Sequence, residues 1–204
     1  SLEVSLVALV IGAVIGIPAG VWLAFRRFLG RRLVIALVYT GMGLPPVVVG
    51  LVVYLLVSRS GPLGGLGWLY TPSAMIAAQV LIAAPIITAF TMAAIMGVDP
   101  NLKRQILSLG ATNLQAAMGV LKEARVGVLV AILAGFGSVI SEVGAVMMVG
   151  GNIKGFSQVL TTAIVQYTRM GLFDLAMALG LILLAIAFLI NLAFLILQGR
   201  RLVE

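Results

Sequence analysis

The chain has 204 residues, of which 62% are hydrophobic and only 9% are charged, and its mean hydropathy is +1.24. A soluble globular domain carries about 25% charged and about 45–50% apolar residues, so this composition indicates an integral membrane protein. The sequence contains no cysteine and no histidine, which excludes disulfides, thiolate or imidazole metal sites and Ser-His triads. Its six acidic residues are too scattered for a carboxylate cage or an acid pair. We therefore expect no metal site, no cofactor and no catalytic residue in this chain.

Five apolar stretches are long enough to cross a membrane, because a helix spanning a bilayer core of about 30 Å needs about 20 mostly apolar residues. They are continuously apolar, whereas the strands of a membrane β-barrel alternate in polarity. In the first stretch, Gly12, Gly16 and Gly20 form a stripe of small residues that predicts close helix packing rather than a ligand site. The sequence predicts a single all-α membrane domain over residues 1–204, with spans at 2–25, 33–57, 73–96, 126–149 and 172–197.

The basic residues are distributed unevenly between the loops. Ten of the thirteen Lys and Arg residues lie in the first loop, the third loop and the C-terminal tail, which five alternating spans place on one side of the membrane. Only Arg59, Lys154 and Arg169 fall on the other side. Because positively charged loops stay in the cytoplasm, this bias predicts that the N-terminus is outside and the C-terminus is cytoplasmic. The same bias accounts for the net charge of +7, so no nucleic-acid partner is expected.

The loop at residues 98–125 is predicted to form two short helices joined by a glycine corner. Asp99-Pro100 is typical of a helix start, and Gly110 lies where a glycine ends a helix. Thr112, with Gln115 three residues later, is a capping box that opens the second helix. This loop is either an ordinary interfacial loop or a docking element that inserts into a groove on a soluble partner. Apolar residues recur at helical spacing in both helices: Leu102, Ile106 and Leu109, then Leu114, Ala117, Met118 and Leu121.

Three motifs resemble the permease subunits of ATP-binding-cassette (ABC) importers of oxyanions. Residues 108–111 (SLGA) resemble the glycine end of the EAA loop of these permeases, although residues 104–106 (RQI) replace the acidic Glu-Ala-Ala and the later proline of the pattern is absent. Residues 44–50 (LPPVVVG) resemble the Leu-Pro-Pro-Thr-Val-x-Gly stretch of molybdate and sulfate permeases. Residues 141–145 (SEVGA) resemble their Gly-Glu-Phe-Gly-Ala.

Residues 146–153 and 160–164 are similar to the tungstate branch of this family, the tungstate transporter permeases. The resemblance implies the type I ABC importer permease fold, with five transmembrane helices and no enzymatic activity in this chain, in a prokaryotic plasma membrane. It also implies three partners: a second copy of the chain as a homodimer, a cytoplasmic ATPase dimer that binds ATP and Mg, and an extracytoplasmic substrate-binding protein. It assigns coupling to the ATPase to residues of the loop at 98–125: Leu102, Ile106, Ser108, Leu109, Gly110, Ala111, Thr112, Leu114 and Ala117.

Two intramembrane features mark a candidate translocation path or gate. Pro45 and Pro46 interrupt the second span and predict a kink or break, which either serves packing or borders the path; the resemblance favours the path. Glu142 is predicted to lie deep in the fourth span, where an ionisable group must face protein or water. It is either a protonated or hydrogen-bonded carboxyl that fixes helix packing or a gate group whose partner changes between states. Packing and interhelical hydrogen bonds are the predicted roles of three other residues: Gln79, Pro85 and Asn191.

Polar residues near the outer ends of the last two spans form another candidate site. They are expected either to contact the anion or its binding protein, or to be a solvated loop: Asn152, Lys154, Gln158, Thr161 and Thr162. Residues 157–164 also predict a short helix that dips back toward the membrane. The predicted function is ATP-driven import of tungstate or a similar oxyanion by alternating access, with molybdate, sulfate or another small anion as open alternatives. An ion-coupled secondary transporter is a different class, and it predicts inverted repeats and midplane charge pairs that the sequence does not show.

Overall fold

The computed structural model of the protein describes residues 1–198, and all regular structure within them is helical. The helices are α1 (Leu2–Phe25), α2 (Arg31–Met42), α3 (Pro46–Val57), α4 (Pro72–Met96), α5 (Pro100–Ser108), α6 (Asn113–Glu123), α7 (Arg125–Ile140), α8 (Gly144–Gly150), α9 (Leu160–Arg169) and α10 (Phe173–Gln198), with a short 3-10 helix at Gly64–Leu66 between α3 and α4. The predicted all-α fold is confirmed.

Helices α1, α4 and α10 are each long and apolar enough to cross a membrane, and they coincide with the predicted first, third and fifth spans. Two further pairs qualify as bent units: α2 with α3, at 101°, and α6 with α7, at 70°. By length and composition, the described residues therefore provide three spans, or five if each bent pair is one span.

The second predicted span is broken at its proline pair. α2 ends at Met42 and α3 begins at Pro46, with Pro45 in an extended conformation (φ −59°, ψ 125°). A proline disfavours the helical conformation in the residue before it and lacks an amide hydrogen, so the helix cannot continue through this segment. The predicted break is confirmed, and the 101° bend between its halves makes it a corner rather than a kink.

The prediction of one continuous helix over 126–149 is wrong. α7 ends at Ile140, and α8 begins only at Gly144. The Ser141 hydroxyl donates to the Gly137 carbonyl at 2.7 Å, a local bond of the kind that competes with the helical ladder. Glu142 therefore lies in the break between two helices, not inside a continuous span as predicted.

α1 packs along α4 through its stripe of glycines. A Cβ atom added to Gly16 would lie 2.9 Å from Ile87 Cβ, and one added to Gly20 would lie 2.7 Å from the Thr88 carbonyl oxygen. Gly12 is buried on the same face. Because the stripe carries no side chains, the two backbones can approach closely. The predicted packing role of these glycines is confirmed.

Adding one methyl group to this stripe is expected to destabilise the protein. Gly20→Ala forces a Cβ atom against the Thr88 carbonyl, and overpacking of this kind costs about 1–3 kcal/mol. Gly180→Ala is the matched control, since a Cβ atom there meets no neighbour within 4 Å. Thermal unfolding in detergent should show a lower Tm for Gly20→Ala and an unchanged or higher Tm for Gly180→Ala, because alanine has the higher helix propensity. Equal Tm values for both variants would contradict the close packing of α1 on α4.

The loop at 98–125 forms the two predicted short helices, α5 and α6. Asp99 Oδ1 accepts a hydrogen bond from the Asn101 amide at 2.9 Å and so caps α5. Thr112 and Gln115 form the predicted capping box: the Thr112 amide donates to Gln115 Oε1 at 2.8 Å, and the Gln115 amide donates to Thr112 Oγ1 at 3.3 Å. Between the helices, Gly110 has a φ of +86°. We refer to α5, the Gly110 corner and α6 as the two-helix loop.

Candidate functional site

The two breaks lie side by side because the half-helices that follow them, α3 and α8, pack on each other. A Cβ atom added to Gly50 in α3 would lie 2.7 Å from the Cα atom of Ala145 in α8. One added to Gly144 would lie 2.7 Å from Val47 Cγ2. The structure therefore brings the predicted path residues Pro45, Pro46 and Glu142 into one region. The two prolines are exposed there, whereas Glu142 is buried, with only 7% of its surface exposed.

Glu142 holds the start of α8. Its Oε1 atom accepts a hydrogen bond from the Ala145 amide at 2.8 Å. A carboxylate is favourable at this end of a helix, because the first amides lack partners within the helix and carry partial positive charge. The Glu142 carbonyl oxygen accepts a hydrogen bond from Thr161 Oγ1 at 2.8 Å, which ties the break to α9. This geometry agrees with the packing interpretation of Glu142; the gate interpretation stays a prediction.

The other side of the same break is held by α4 and α1. The end of α7 leaves carbonyl oxygens without partners in the helix. One of them, the Val139 carbonyl, accepts hydrogen bonds from Gln79 Nε2 at 2.9 Å and from Ser5 Oγ at 3.5 Å, and also from the Glu142 amide at 3.4 Å. The predicted interhelical hydrogen bond of Gln79 is confirmed. Ser5 was not predicted, and the only signal for it is a hydroxyl on the buried face of α1.

The predicted outer-face residues are mostly engaged in organising their own segment. Asn152 Nδ2 and Gln158 Nε2 both donate to Gln166 Oε1, at 2.8 and 2.6 Å. Gln166 joins them across the segment, and sequence reasoning did not identify it. Lys154 is exposed, so it is the member of the set that is free to meet a ligand or a protein from outside.

The two threonines of this set are buried in α9. Thr161 donates to the Glu142 carbonyl, and Thr162 Oγ1 accepts from the Val159 amide at 3.1 Å. The short helix predicted at 157–164 exists, but α9 runs over Leu160–Arg169. It begins later because Ser157 is held in the preceding turn, where its hydroxyl donates to the Gly150 carbonyl.

The two-helix loop does not present all its predicted coupling residues to the outside. Leu102 packs on a cluster that includes Val120, and a Cβ atom on Gly119 would lie 2.6 Å from Ile106 Cδ1. Leu102 and Ile106 therefore join α5 to α6 and to the spans. Leu109, by contrast, is 86% exposed at the corner.

The remaining predicted coupling residues divide between local structure and surface. The Ser108 hydroxyl donates to the Gln105 carbonyl at 2.8 Å, while Thr112 is the helix cap already described. Leu114 is 70% exposed, and Ala117 lines a groove shared with α1. The apolar surface that projects from the loop is thus centred on the corner at Leu109 and Gly110, and Ala111 continues it, half-buried.

No metal cage is formed within residues 1–198, where no three His, Cys, Asp or Glu side chains come close enough to hold an ion. The site is built instead from helix breaks, backbone hydrogen bonds and one exposed apolar corner. Such an arrangement can line a path and transmit movement.

Comparison with known proteins places the chain among transport permeases. A family model described as binding-protein-dependent transport system inner membrane component matches residues 16–201. A probable anion ABC transporter permease protein of Haloferax volcanii is 43% identical over 196 residues, which cover 94% of this chain and 84% of the relative. The tungstate uptake system permease protein TupB of Peptoclostridium acidaminophilum is 41% identical over 191 residues, with 94% and 84% covered. A probable molybdenum ABC transporter permease protein of Haloferax volcanii is 33% identical over 180 residues, with 84% and 64% covered.

The all-helical membrane fold and these matches define the class of protein as a membrane-embedded component of an ABC transporter. The chain belongs to the family of binding-protein-dependent transport system inner membrane components and has its type I ABC permease fold. The resemblance inferred from the three motifs is confirmed.

Proposed function

We propose that this chain is the permease subunit of an ATP-driven importer that carries tungstate, or a closely similar oxyanion, by alternating access. The observation that carries the proposal is the pairing of α3 with α8, which sets the break between α2 and α3 beside the break between α7 and α8. Broken helices are tolerated at membrane depth where they line a cavity or are buried in protein. The similarity to a tungstate uptake permease and to an anion permease supports the substrate class.

The proposed importer needs partners for binding ATP and for delivering the anion, in addition to a second copy of the chain. Five spans enclose a path poorly, so a two-fold homodimer with the path on its axis is the economical assembly. The sequence has no Gly-x-x-x-x-Gly-Lys-[Ser/Thr] loop for binding ATP. A separate ATPase dimer would bind ATP and Mg and dock on the exposed corner around Leu109 and Gly110. An extracytoplasmic binding protein would deliver the anion near Lys154.

Movement would pass between the two sides through short links, apolar at one end and hydrogen-bonded at the other. At one end, the two-helix loop is joined to the spans through Leu102 and Ile106. At the other, Thr161 links α9 to Glu142, and Glu142 holds the start of α8. Closure of the ATPases would then move α5 and α6, while docking of the binding protein would move α9, and both movements would reach the break next to Pro45 and Pro46.

Uptake of labelled anion tests the proposal directly. The chain would be produced together with its proposed partner ATPase and binding protein, in cells lacking their own oxyanion importers. We expect ATP-dependent uptake of radiolabelled tungstate, competed by unlabelled tungstate more strongly than by molybdate or sulfate. Molybdate is the second candidate substrate, favoured by the molybdenum permease relative, and stronger competition by molybdate would assign it. Uptake that persists without the ATPase would contradict the proposed mechanism.

The orientation of the chain is a separate prediction, based on its basic loops. Leu29 is fully exposed in the first basic loop, and Gly65 lies in the connection between α3 and α4 with no atom within 4 Å of an added Cβ. Because the chain has no cysteine, single variants Leu29→Cys and Gly65→Cys report accessibility cleanly. A membrane-impermeant thiol reagent added to intact cells should label position 65 and not position 29. The opposite pattern would reverse the proposed orientation.

A further inference from the structure

A groove of about 740 Å³ runs between the last turns of α1 and the side of α6. Its walls are mostly apolar and are formed by Ile17, Val21 and Phe25 from α1 and by Leu114, Met118 and Leu121 from α6. Leu114 and Met118 are exposed in the described chain. The second helix of the two-helix loop therefore turns much of its apolar face toward α1, leaving a slot that no described residue fills.

The groove lies at the boundary between hydrocarbon and water. α1 is a membrane-spanning helix by length and composition, and the groove is at the end where its basic loop begins. α6 is bent 70° away from α7, so it crosses the end of the bundle rather than continuing the span. Trp22 lines the groove, is 49% exposed and has its ring 4.7 Å from that of Phe28. Tryptophan is enriched at this depth of a bilayer.

The rim of the groove is positively charged. Arg26 and Lys103 are among its lining residues, and none of the described residues that line it is acidic. Lys103 Nζ lies 4.3 Å from the centroid of the Phe25 ring, a cation–π contact that holds the ammonium group over the groove. A second groove, at the opposite end of α1, has apolar walls and contains Trp68, but no charged side chain lines it.

We propose that the groove between α1 and α6 binds an anionic phospholipid. One acyl chain lies along Val21 and Met118, and the phosphate of the headgroup lies between Arg26 and Lys103. Apolar walls alone would accept any lipid, but two cations at the headgroup level select a negative one. The proposal goes beyond transport, and it uses the proposed orientation only to place the lipid in the cytoplasmic leaflet.

The two tryptophans provide the test, because one lies in each groove. In the full chain carrying Trp68→Phe, Trp22 is the only tryptophan. The protein would be reconstituted in phosphatidylcholine vesicles containing a small fraction of brominated phosphatidylglycerol or, separately, brominated phosphatidylcholine. We expect stronger quenching of Trp22 by the brominated phosphatidylglycerol. Replacing both cations, Arg26→Gln together with Lys103→Gln, should remove the preference. Each cation lost should lower the relative affinity for the anionic lipid about fivefold.

Two control variants accompany this test. Trp22→Phe leaves Trp68 as reporter, and both brominated lipids should quench it equally. Arg26→Lys with Lys103→Arg keeps the charges and should keep the preference. Equal quenching of Trp22 by the two lipids, or a preference that survives in the double glutamine variant, would overturn the proposal. So would complete loss of quenching on adding the ATPase, since the groove would then be an ATPase contact. Failure of anion uptake leaves these readouts unchanged and would count against the proposed function alone.

Discussion

Substitution of Gly110 by valine is expected to abolish substrate-stimulated ATP hydrolysis in the assembled importer while leaving the permease inserted and dimeric. The φ of +86° at Gly110 is one that a β-branched residue adopts only under strain, at a cost of about 1–3 kcal/mol. The two-helix loop can relieve that strain only by reshaping the corner at Leu109. The spans do not depend on this corner, so the damage is confined to the surface proposed to meet the ATPase.

Two matched variants separate this explanation from general damage. Gly30 also has a φ of +86°, and neither glycine has an atom within 4 Å of an added Cβ. Gly30→Val therefore introduces the same strain in a different loop, and ATPase association should survive it. Gly110→Asn should retain most coupling, because asparagine tolerates the left-handed conformation. ATPase association in detergent and anion-stimulated hydrolysis are the measurements. Parental rates of hydrolysis and uptake in Gly110→Val would remove the two-helix loop from the proposed coupling route.

The second large effect is expected at Glu142. Glutamine keeps the size of the side chain and an oxygen that can accept from the Ala145 amide, so Glu142→Gln should assemble normally. It cannot ionise, whereas a carboxylate accepts such a hydrogen bond with a negative charge that strengthens it. Bonds to charged groups contribute about 1.5–3 kcal/mol and neutral ones about 0.5–1.5 kcal/mol. A difference of about 1 kcal/mol would shift the balance between transport states about fivefold, so the ratio of ATP hydrolysed to anion imported should change.

The link from α9 to the break gives an independent check on this prediction. Thr161→Val removes the hydrogen bond to the Glu142 carbonyl. It should therefore also change the ratio of ATP hydrolysed to anion imported, with the same sign as Glu142→Gln. Thr168→Val is the matched control, because the Thr168 hydroxyl bonds only the Ile164 carbonyl within α9. If Glu142→Gln and Thr161→Val both transport and hydrolyse at parental rates, Glu142 serves packing alone and the gate interpretation is wrong.

The sequence predicted best those features that depend on nearby residues. The caps at Asp99 and Thr112 are made by residues within a few positions, and the break at Pro45 follows from the covalent structure of proline. The break at Glu142 has no such marker, since residues 126–149 are apolar almost throughout. Its stability depends on Gln79, which is distant in the sequence. Only the assembled helices reveal it.

Helical periodicity also identified the apolar stripes of the two-helix loop without showing what each stripe faces. Leu102, Ile106 and Leu109 share one spacing, yet the first two pack inward and Leu109 projects outward. The reason is that α5 ends at Ser108, so Leu109 no longer follows the helical path. For the outer residues, the sequence could not show that Gln166 would engage Asn152 and Gln158.

The hydrogen bonds from Ser5 and Gln79 to the Val139 carbonyl also imply an order of assembly during synthesis. A backbone carbonyl that has no hydrogen-bond donor is costly in the hydrocarbon core of a membrane. The Val139 carbonyl is at risk of this because the helix ends just after it. Its two side-chain donors, Ser5 and Gln79, belong to α1 and α4, which leave the ribosome before α7. The donors are therefore in the bilayer when residues 140–144 arrive. Thr161, which secures the other half of the break, is made afterwards. The segment can thus enter the bilayer beside side chains that already wait to bond it, and changing the order of the spans would leave the Val139 carbonyl with the Glu142 amide alone when it enters lipid.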